Sequence, residues 1–381
     1  MNTYRSPWMD EDLDLFRSAA SRFVEREMVP HDERWREQKY IDREFWRKAG
    51  KNGFLCTDIP SEYGGGGGDF RHEAVFFEEQ WRRGLSGLGQ GVHSIVANYL
   101  LNHGTDVQKQ QWLPQMAQGQ LIAAIAMTEP GTGSDLKGIK TRAVSDGEDY
   151  VINGSKMFIT NGYVSELLAL VVCTDPEGGS QALSIVMLET TDLPGFKVGT
   201  MLKKMGQKSQ DTCELFFDEV RIPKANLLGG IEGQGFAQLM SDLPYERTQV
   251  GVQSVAMMEG AIEETVSYVK QREAFGAPLF SLQNTRFRLA EAKTTTQVAR
   301  VFLDYCIQNV ARGELDNTTA AMCKYWTSEQ LQQVLDICLQ MHGGYGYMEE
   351  YLICRMYADA RVARIYAGTS EIMLEVVARN L

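Results

Sequence analysis

The sequence predicts an α+β fold in three blocks: an N-terminal helical domain, a central antiparallel β domain and a C-terminal four-helix bundle. Three observations predict it. Apolar residues recur at helical spacing up to about Gln118, short apolar runs alternate with Gly, Pro, Asn and Asp clusters between Leu121 and Gly230, and no proline follows Pro278. Helical spacing buries one face of a helix, turn clusters bound short strands, and proline is what helix interiors exclude. At 381 residues the chain is too long for one small core, and the blocks are expected at 1–120, 121–230 and 231–381.

In the first block Leu13, Phe16, Ala20, Phe23 and Val24 share a helical face, and Ile95, Tyr99 and Asn102 repeat the rhythm later. Pro30, Pro60 and Pro114 are expected to separate segments. The stretch from Pro60 to Asp69 holds five consecutive glycines without the Gly-Lys-Ser/Thr ending of a phosphate loop, and reads as a loop entering a helix near Asp69. In the second block Tyr150–Ile152, Leu167–Val172, Ala182–Leu188, Phe196–Val198 and Thr212–Phe217 are the expected strands, with a hairpin turned at Asn153-Gly154. The third block begins with a helix from about Gly233 through Arg272, Pro244 lying near its first turns. Val298, Val301, Phe302 and Tyr305, then Leu331, Val334, Leu335 and Cys338, mark two further helices, with breaks at Arg312-Gly313, Gly343-Gly344 and Gly368.

Composition removes several function classes. A net charge of −12 does not suit general nucleic-acid binding, which needs clustered Lys and Arg. Seven scattered cysteines without a Cys-x-x-Cys pair argue against zinc and against a disulfide framework, and five scattered histidines read as structural, so no metal site is expected. Apolar runs such as Leu167–Cys173 are too short to span a bilayer. Asp10, Glu11, Asp12 and Asp14 do not fit a signal or transit peptide, and the cytoplasm of a bacterium, rather than a mitochondrial matrix, is the expected compartment.

The stretch Met127–Gly162 concentrates chemistry. Its Pro130, Gly131 and Gly133 make a turn that lets backbone approach a ligand, with hydroxyls at Thr128, Thr132 and Ser134. Phe158 and Thr160 lie two residues apart, on one strand face. Amides, hydroxyls and an aromatic in one place suit a flat heterocyclic cofactor; the alternative is ordinary β structure.

Six motifs in this order resemble the acyl-CoA dehydrogenase family of flavoenzymes over nearly the whole chain: Pro60-Ser-Glu-Tyr-Gly-Gly, Met127-Thr-Glu-Pro-Gly-Thr-Gly-Ser-Asp, Lys156-Met-Phe-Ile-Thr-Asn-Gly, Arg272-Glu-Ala-Phe-Gly, Gln340-Met-His-Gly-Gly-Tyr-Gly and Tyr366-Ala-Gly-Thr-Ser-Glu. The resemblance implies FAD, with its ring held by Met127, Thr128, Gly133, Ser134, Phe158, Ile159 and Thr160. It implies that Arg272, Phe275, Gln283, Gln340, Gly343 and Gly344 hold the pyrophosphate and adenosine of a neighbouring subunit's FAD, with Gly368, Thr369 and Glu371 as further contacts. An Arg fork suits a pyrophosphate. The plainer readings are a surface ion pair for Arg272 and a helix terminator for Gly343-Gly344. A shared cofactor implies a homo-oligomer, in this family a tetramer, and the expected partners are an acyl-CoA and an electron-transfer flavoprotein.

The reaction implied is α,β-dehydrogenation of an acyl-CoA, which needs a base in a dry pocket. Most members place a Glu just before Gly-Thr-Ser, but here that position is Ala367, leaving only its backbone amide to meet the thioester oxygen. Long-chain and isovaleryl-type members carry the base as Glu before Arg in the first bundle helix, which matches Glu246-Arg247 within Leu243-Pro-Tyr-Glu-Arg. Glu246 is the expected base, Glu371 the second candidate, Asp242 a weaker one, and Glu129 a weaker one still that reads as structural; the plainer reading of Glu246 is a helix-start carboxylate. Ser134, Tyr245, Glu246, Arg247 and Ala367 are the expected substrate contacts, and Ala at 367 leaves room for long or methyl-branched chains. The competing functions are an acyl-CoA oxidase or flavin monooxygenase on the same fold, and a silent FAD-binding scaffold.

Overall fold

Asp10 starts the first helix, its carboxylate accepting the Leu13 N–H at 2.9 Å. The computed structural model describes residues 4–381. Helix α1 (Glu11–Glu27) is followed by the short α2 (Asp32–Gln38) and α3 (Arg43–Lys51). The glycine run stays irregular and ends at Asp69, which caps α4 (Phe70–Trp81) in a reciprocal box with His72. Next come α5 (Gln90–His103) and α6 (Asp106–Ala117), the latter capped by Thr105 and Gln108. Pro114 separates nothing: it lies inside α6, which runs less than one further turn and so loses little backbone pairing to it.

The central lobe is one sheet of β1 (Ala123–Ala126), β2 (Arg142–Asp146), β3 (Asp149–Thr160), β4 (Leu167–Cys173), β5 (Leu183–Glu189), β6 (Phe196–Met201) and β7 (Thr212–Pro223). Its strands run β1-β4-β2-β3-β7-β6, with β5 paired to β4. Pairing is antiparallel for β2–β3, β3–β7, β4–β5 and β6–β7. It is parallel for β1–β4 and for the single pair Arg142–Cys173 that joins β2 to β4. Every residue of β4 is buried, because alternate side chains serve two cores. Leu167, Ala169 and Val171 pack with α5 and α6, whereas Leu168, Leu170 and Val172 pack inside the β lobe.

The expected hairpin turn at Asn153-Gly154 is not there. Asp146 pairs with Asp149, so Gly147-Glu148 makes the turn, and Asn153-Gly154 sits inside β3 at a register shift against β7. Gly154 has φ of +153°, and a Cβ on it would stand 2.5 Å from the Thr141 hydroxyl. The backbone freedom that marks a turn here serves a bulge. Asn153 spans it, donating to the Glu219 carboxylate at 2.6 Å and accepting the Glu219 N–H at 2.9 Å.

The bundle is built on α7 (Gly235–Gln271), which carries Pro244 internally. A small hairpin of β8 (Glu273–Ala274) and β9 (Ala277–Pro278) leads to α8 (Gln283–Ala311) and α9 (Asn317–His342). The short α10 (Leu352–Ala360) and α11 (Ser370–Ala378) pack along α9. One core runs across the boundary with the N-terminal lobe, joining Phe77 and Trp81 of α4 to Val255, Met258, Leu303 and Cys323. Arg300 crosses it as well, donating to Glu78 and Glu259. Where α7 passes the end of α4, a Cβ on Gly260 would lie 1.9 Å from the Arg82 carbonyl oxygen, so only glycine permits that approach. Among the described residues no helix is long and apolar enough to cross a membrane.

Candidate active site

The first group of expected site residues comes together at the edge of the β lobe. Between β1 and β2 the loop is tied to β3 by the Met157 N–H, which donates to the Thr128 carbonyl at 2.8 Å. Beneath it Lys156 donates to the Met127 carbonyl and to Glu129, both at 2.9 Å. Glu129 also accepts the Lys140 and Thr141 N–H groups at 2.8 and 2.9 Å. These bonds hold the Glu129 carboxyl below its ordinary range despite its burial, while burial pushes the Lys156 ammonium down to about 8. With both oxygens occupied, Glu129 is a strut for the loop and not a base.

Above the strut the surface is open. Nothing lies within 4 Å of where Cβ atoms on Gly131 and Gly133 would stand, and Ser134 is exposed. Phe158 is 64% exposed with φ of +62°, a conformation that costs a non-glycine residue about 1 kcal/mol or more. Thr160 is partly exposed, and Ile159 between them is buried in the β core, so Ile159 offers only its backbone. A strained, exposed aromatic beside a bare glycine turn and free hydroxyls fits a flat ring system.

A second group lies at the far end of the bundle. Arg272, Gly343 and Gly344 line a cleft of about 440 Å³ with Tyr268, His342 and Tyr345. The Arg272 guanidinium lies 5.6 Å over the Tyr345 ring and, among the described residues, forms no ion pair, so the plain surface-pair reading does not hold. Open space surrounds the Cβ positions of Gly343 and Gly344. An unpaired guanidinium facing bare backbone suits an anion such as a pyrophosphate. Gln340 is exposed next to this cleft; Phe275, 96% exposed, and Gln283 stand outside its lining.

The third group surrounds the expected base. Glu246 is only 6% exposed, on α7, and its Oε1 accepts the Tyr99 phenol of α5 at 2.5 Å. Burial raises its carboxyl to about 7, assisted by Asp242 and opposed by the Tyr99 bond and Arg247. The neighbouring Tyr245 donates to Asp58 at 2.8 Å and meets Phe70 edge-on at 4.9 Å. Arg247 is buried, with one long bond to the Asn317 carbonyl and its Nε unpaired. The rival carboxylates are placed differently. Asp242 is engaged by Asn102 and His103 at 2.9 and 3.2 Å, and Glu371 is an exposed side chain whose carboxyl is lowered by hydrogen bonds from its own backbone and Thr369.

Ala367 and Tyr366 pack on the same bundle core as Tyr245. Ala367 has φ of +52° and Gly368 φ of +86°, so the backbone turns sharply at the position where the family's Glu is replaced. Lys324, wholly buried on α9, holds this turn by donating to the Gly368 carbonyl at 2.6 Å, and Thr369 then caps α11. Sequence reasoning missed Tyr99, Asp58 and Lys324 as site residues. In the sequence Tyr99 carries only the signal of a helix position, and its bond to Glu246 exists only once α5 lies against α7.

A helical lobe, a sheet lobe with a bare glycine turn and a helical bundle bearing a buried carboxylate together suit an enzyme that binds a flat cofactor and uses a base. Residues 10–120, 124–220 and 233–381 match the N-terminal, middle and C-terminal domains of acyl-CoA dehydrogenase respectively. The long-chain specific acyl-CoA dehydrogenase of Rattus norvegicus mitochondria is 46% identical over 370 residues, covering 97% of this chain and 86% of that protein. Isovaleryl-CoA dehydrogenase of Oryza sativa subsp. japonica mitochondria is 33% identical over 376 residues, covering 98% and 91%. The crystal structure of an acyl-CoA dehydrogenase from Geobacillus kaustophilus superposes with a TM-score of 0.96 at 43% identity, covering 99% of each chain. The chain belongs to the acyl-CoA dehydrogenase family. It is an oxidoreductase acting on the CH–CH bond of acyl-CoA, and its cofactor is FAD.

Proposed function

We propose that this enzyme oxidises a long-chain or methyl-branched acyl-CoA to the trans-2-enoyl-CoA, with Glu246 as the base. The observation that carries this reading is a buried carboxyl raised to about 7 on α7, in a chain whose residue 367 has no carboxylate. In water such a group is too weak a base for an α proton; burial strengthens it. Its Oε1 is bonded to Tyr99 and, among the described residues, Oε2 has no partner. Oε2 takes the α proton, the Cα–H electron pair becomes the new double bond, and the β hydrogen leaves as hydride. Hydride acceptance is the chemistry that FAD supplies when bound. The amide of Ala367 donates to the thioester oxygen as charge develops there. Arg247 and Tyr245 shape the pocket around Glu246, with Ser134 toward the CoA arm.

On this reading Met127, Thr128, Gly133, Ser134, Phe158, Thr160 and the Ile159 backbone hold the ring. Arg272, Phe275, Gln283, Gln340, Gly343 and Gly344 serve the FAD of a neighbouring subunit, and Gly368, Thr369 and Glu371 complete the contacts. The bare outward Phe275 and the exposed α8 stripe of Phe287, Val298, Val301 and Tyr305 support association into a homo-oligomer, in this family a tetramer. The lobes act as units 1–120, 121–230 and 231–381, and electrons pass to an electron-transfer flavoprotein. Anaerobic titration of the holoenzyme with acyl-CoAs of graded length and branching tests the proposal. Flavin bleaching strongest with long or branched chains is expected; preference for butyryl-CoA, or oxygen consumption in place of transfer to the flavoprotein acceptor, refutes it.

A further inference from the structure

Four polar residues on about one and a half turns of α5 form a cluster, three of them reaching across the boundary to α7 and the fourth bonding within the N-terminal lobe. Asn98 donates to Asp58 at 3.2 Å, Tyr99 to Glu246 at 2.5 Å and Asn102 to Asp242 at 2.9 Å, while His103 meets Asp242 at 3.2 Å. On the facing turn of α7 Tyr245 returns a bond to Asp58. Tyr99 is wholly buried and is bracketed by these contacts, so its phenol has one place to go. Its acceptor is a single oxygen of the carboxylate, which leaves the other for chemistry. We propose that Tyr99 is a positioning residue, whose phenol holds Glu246 in its ionised form before substrate arrives.

This inference rests on the reading of Glu246 as the base. The physical balance is specific. Burial and Asp242 favour the neutral acid, and only the phenol O–H and the Arg247 guanidinium favour the carboxylate. Arg247 is itself buried beside Lys324 of α9, and His103 of α5 is directed at Asp242, so neither replaces the phenol. A donor to an ionised acceptor is worth roughly twice one between neutral groups. Without it the carboxyl rises, and at neutral pH most of the enzyme holds its base already protonated.

Tyr99→Phe tests this with the shape of the side chain kept. The rate of anaerobic flavin bleaching, measured against pH, should show its acidic limb displaced upward by about one pH unit. The alkaline plateau should stay within about threefold of wild type, since the ionised base is still present there. Infrared titration of the carboxylate band, identified by its absence in Glu246→Gln, should show the same displacement without turnover. If Tyr99→Phe compromises folding, 3-fluorotyrosine at 99, a stronger donor of almost the same size, should move both curves downward. A rate lowered equally at all pH, with the limb and the infrared band unmoved, overturns the inference and leaves Tyr99 a packing residue. Retained turnover in Glu246→Gln refutes the base itself and is read separately, because the infrared titration still reports whether the phenol governs the carboxyl.

Discussion

Replacing Glu246 by Gln separates the consequences of its charge from those of its shape. Gln keeps an oxygen for the Tyr99 phenol and fills the same volume, but takes up no proton. Folding moves this carboxyl from 4.5 to about 7, with burial the first cause. Above pH 7 the unfolded chain carries it ionised in water, whereas the folded chain must bury the charge. Below about pH 4.5 both states hold it protonated and the penalty vanishes. At about 1.4 kcal/mol per pH unit, the wild-type fold is therefore penalised by roughly 2.5 kcal/mol more at about pH 8 than at about pH 5. Glu246→Gln should gain that much relative stability between the two conditions, whatever constant offset the buried amide adds. Denaturant unfolding of FAD-saturated protein at both pH values measures it, and anaerobic bleaching measures the chemistry on the same sample. No bleaching and a pH-dependent gain are expected. An equal difference at both pH values would refute the buried, raised carboxyl, and persistent bleaching would refute the base.

Three further outcomes follow from the geometry. Lys156→Met strands Glu129 beneath the loop and should cost about 3–5 kcal/mol, read as a fall in thermal midpoint with loss of flavin; adding Glu129→Gln should restore part of it. Arg272→Gln should weaken FAD binding about tenfold and flatten its salt dependence, while leaving the melting of the flavin-free protein unchanged, because the guanidinium is exposed and unpaired. Lys324→Met removes the donor to the Gly368 carbonyl and should cost about 1–3 kcal/mol in stability, with kcat falling more than KM rises as the Ala367 amide loses its support.

Periodicity made the helices legible because α1, α8 and α9 each bury a single face, and the start of α4 near Asp69 was legible as the end of a glycine-rich loop, though not as a cap. Five of the seven strands were legible, β1 and β2 were not, and the topology was not. Nothing local in Ala123–Ala126 states that it runs parallel to Leu167–Leu170, since that pairing depends on the connection between them. Asn153-Gly154 misled for a physical reason: a turn and a bulge both need a residue free of Cβ, and only the partner strand decides which forms. In the site, Glu246 was singled out by the family resemblance, as a Glu preceding Arg. Tyr99 and Asp58 were not, because each acts through a residue more than a hundred positions away. Glu129 shows the converse, a carboxylate in a signature turn whose task proved to be mechanical.

The bare Gly260 at the crossing of α7 and α4 reaches further than its own contact. It lies on the same rigid helix as Glu246, about 21 Å along the axis. The phenol that meets Glu246 comes from the lobe that Gly260 allows to approach. A single added methyl at 260 would push the two lobes apart at one end, and the Tyr99–Glu246 hydrogen bond joins the same two lobes at the other. On the reading of Glu246 as the base, its acidity is tied to the thickness of a backbone crossing about four turns along the same helix.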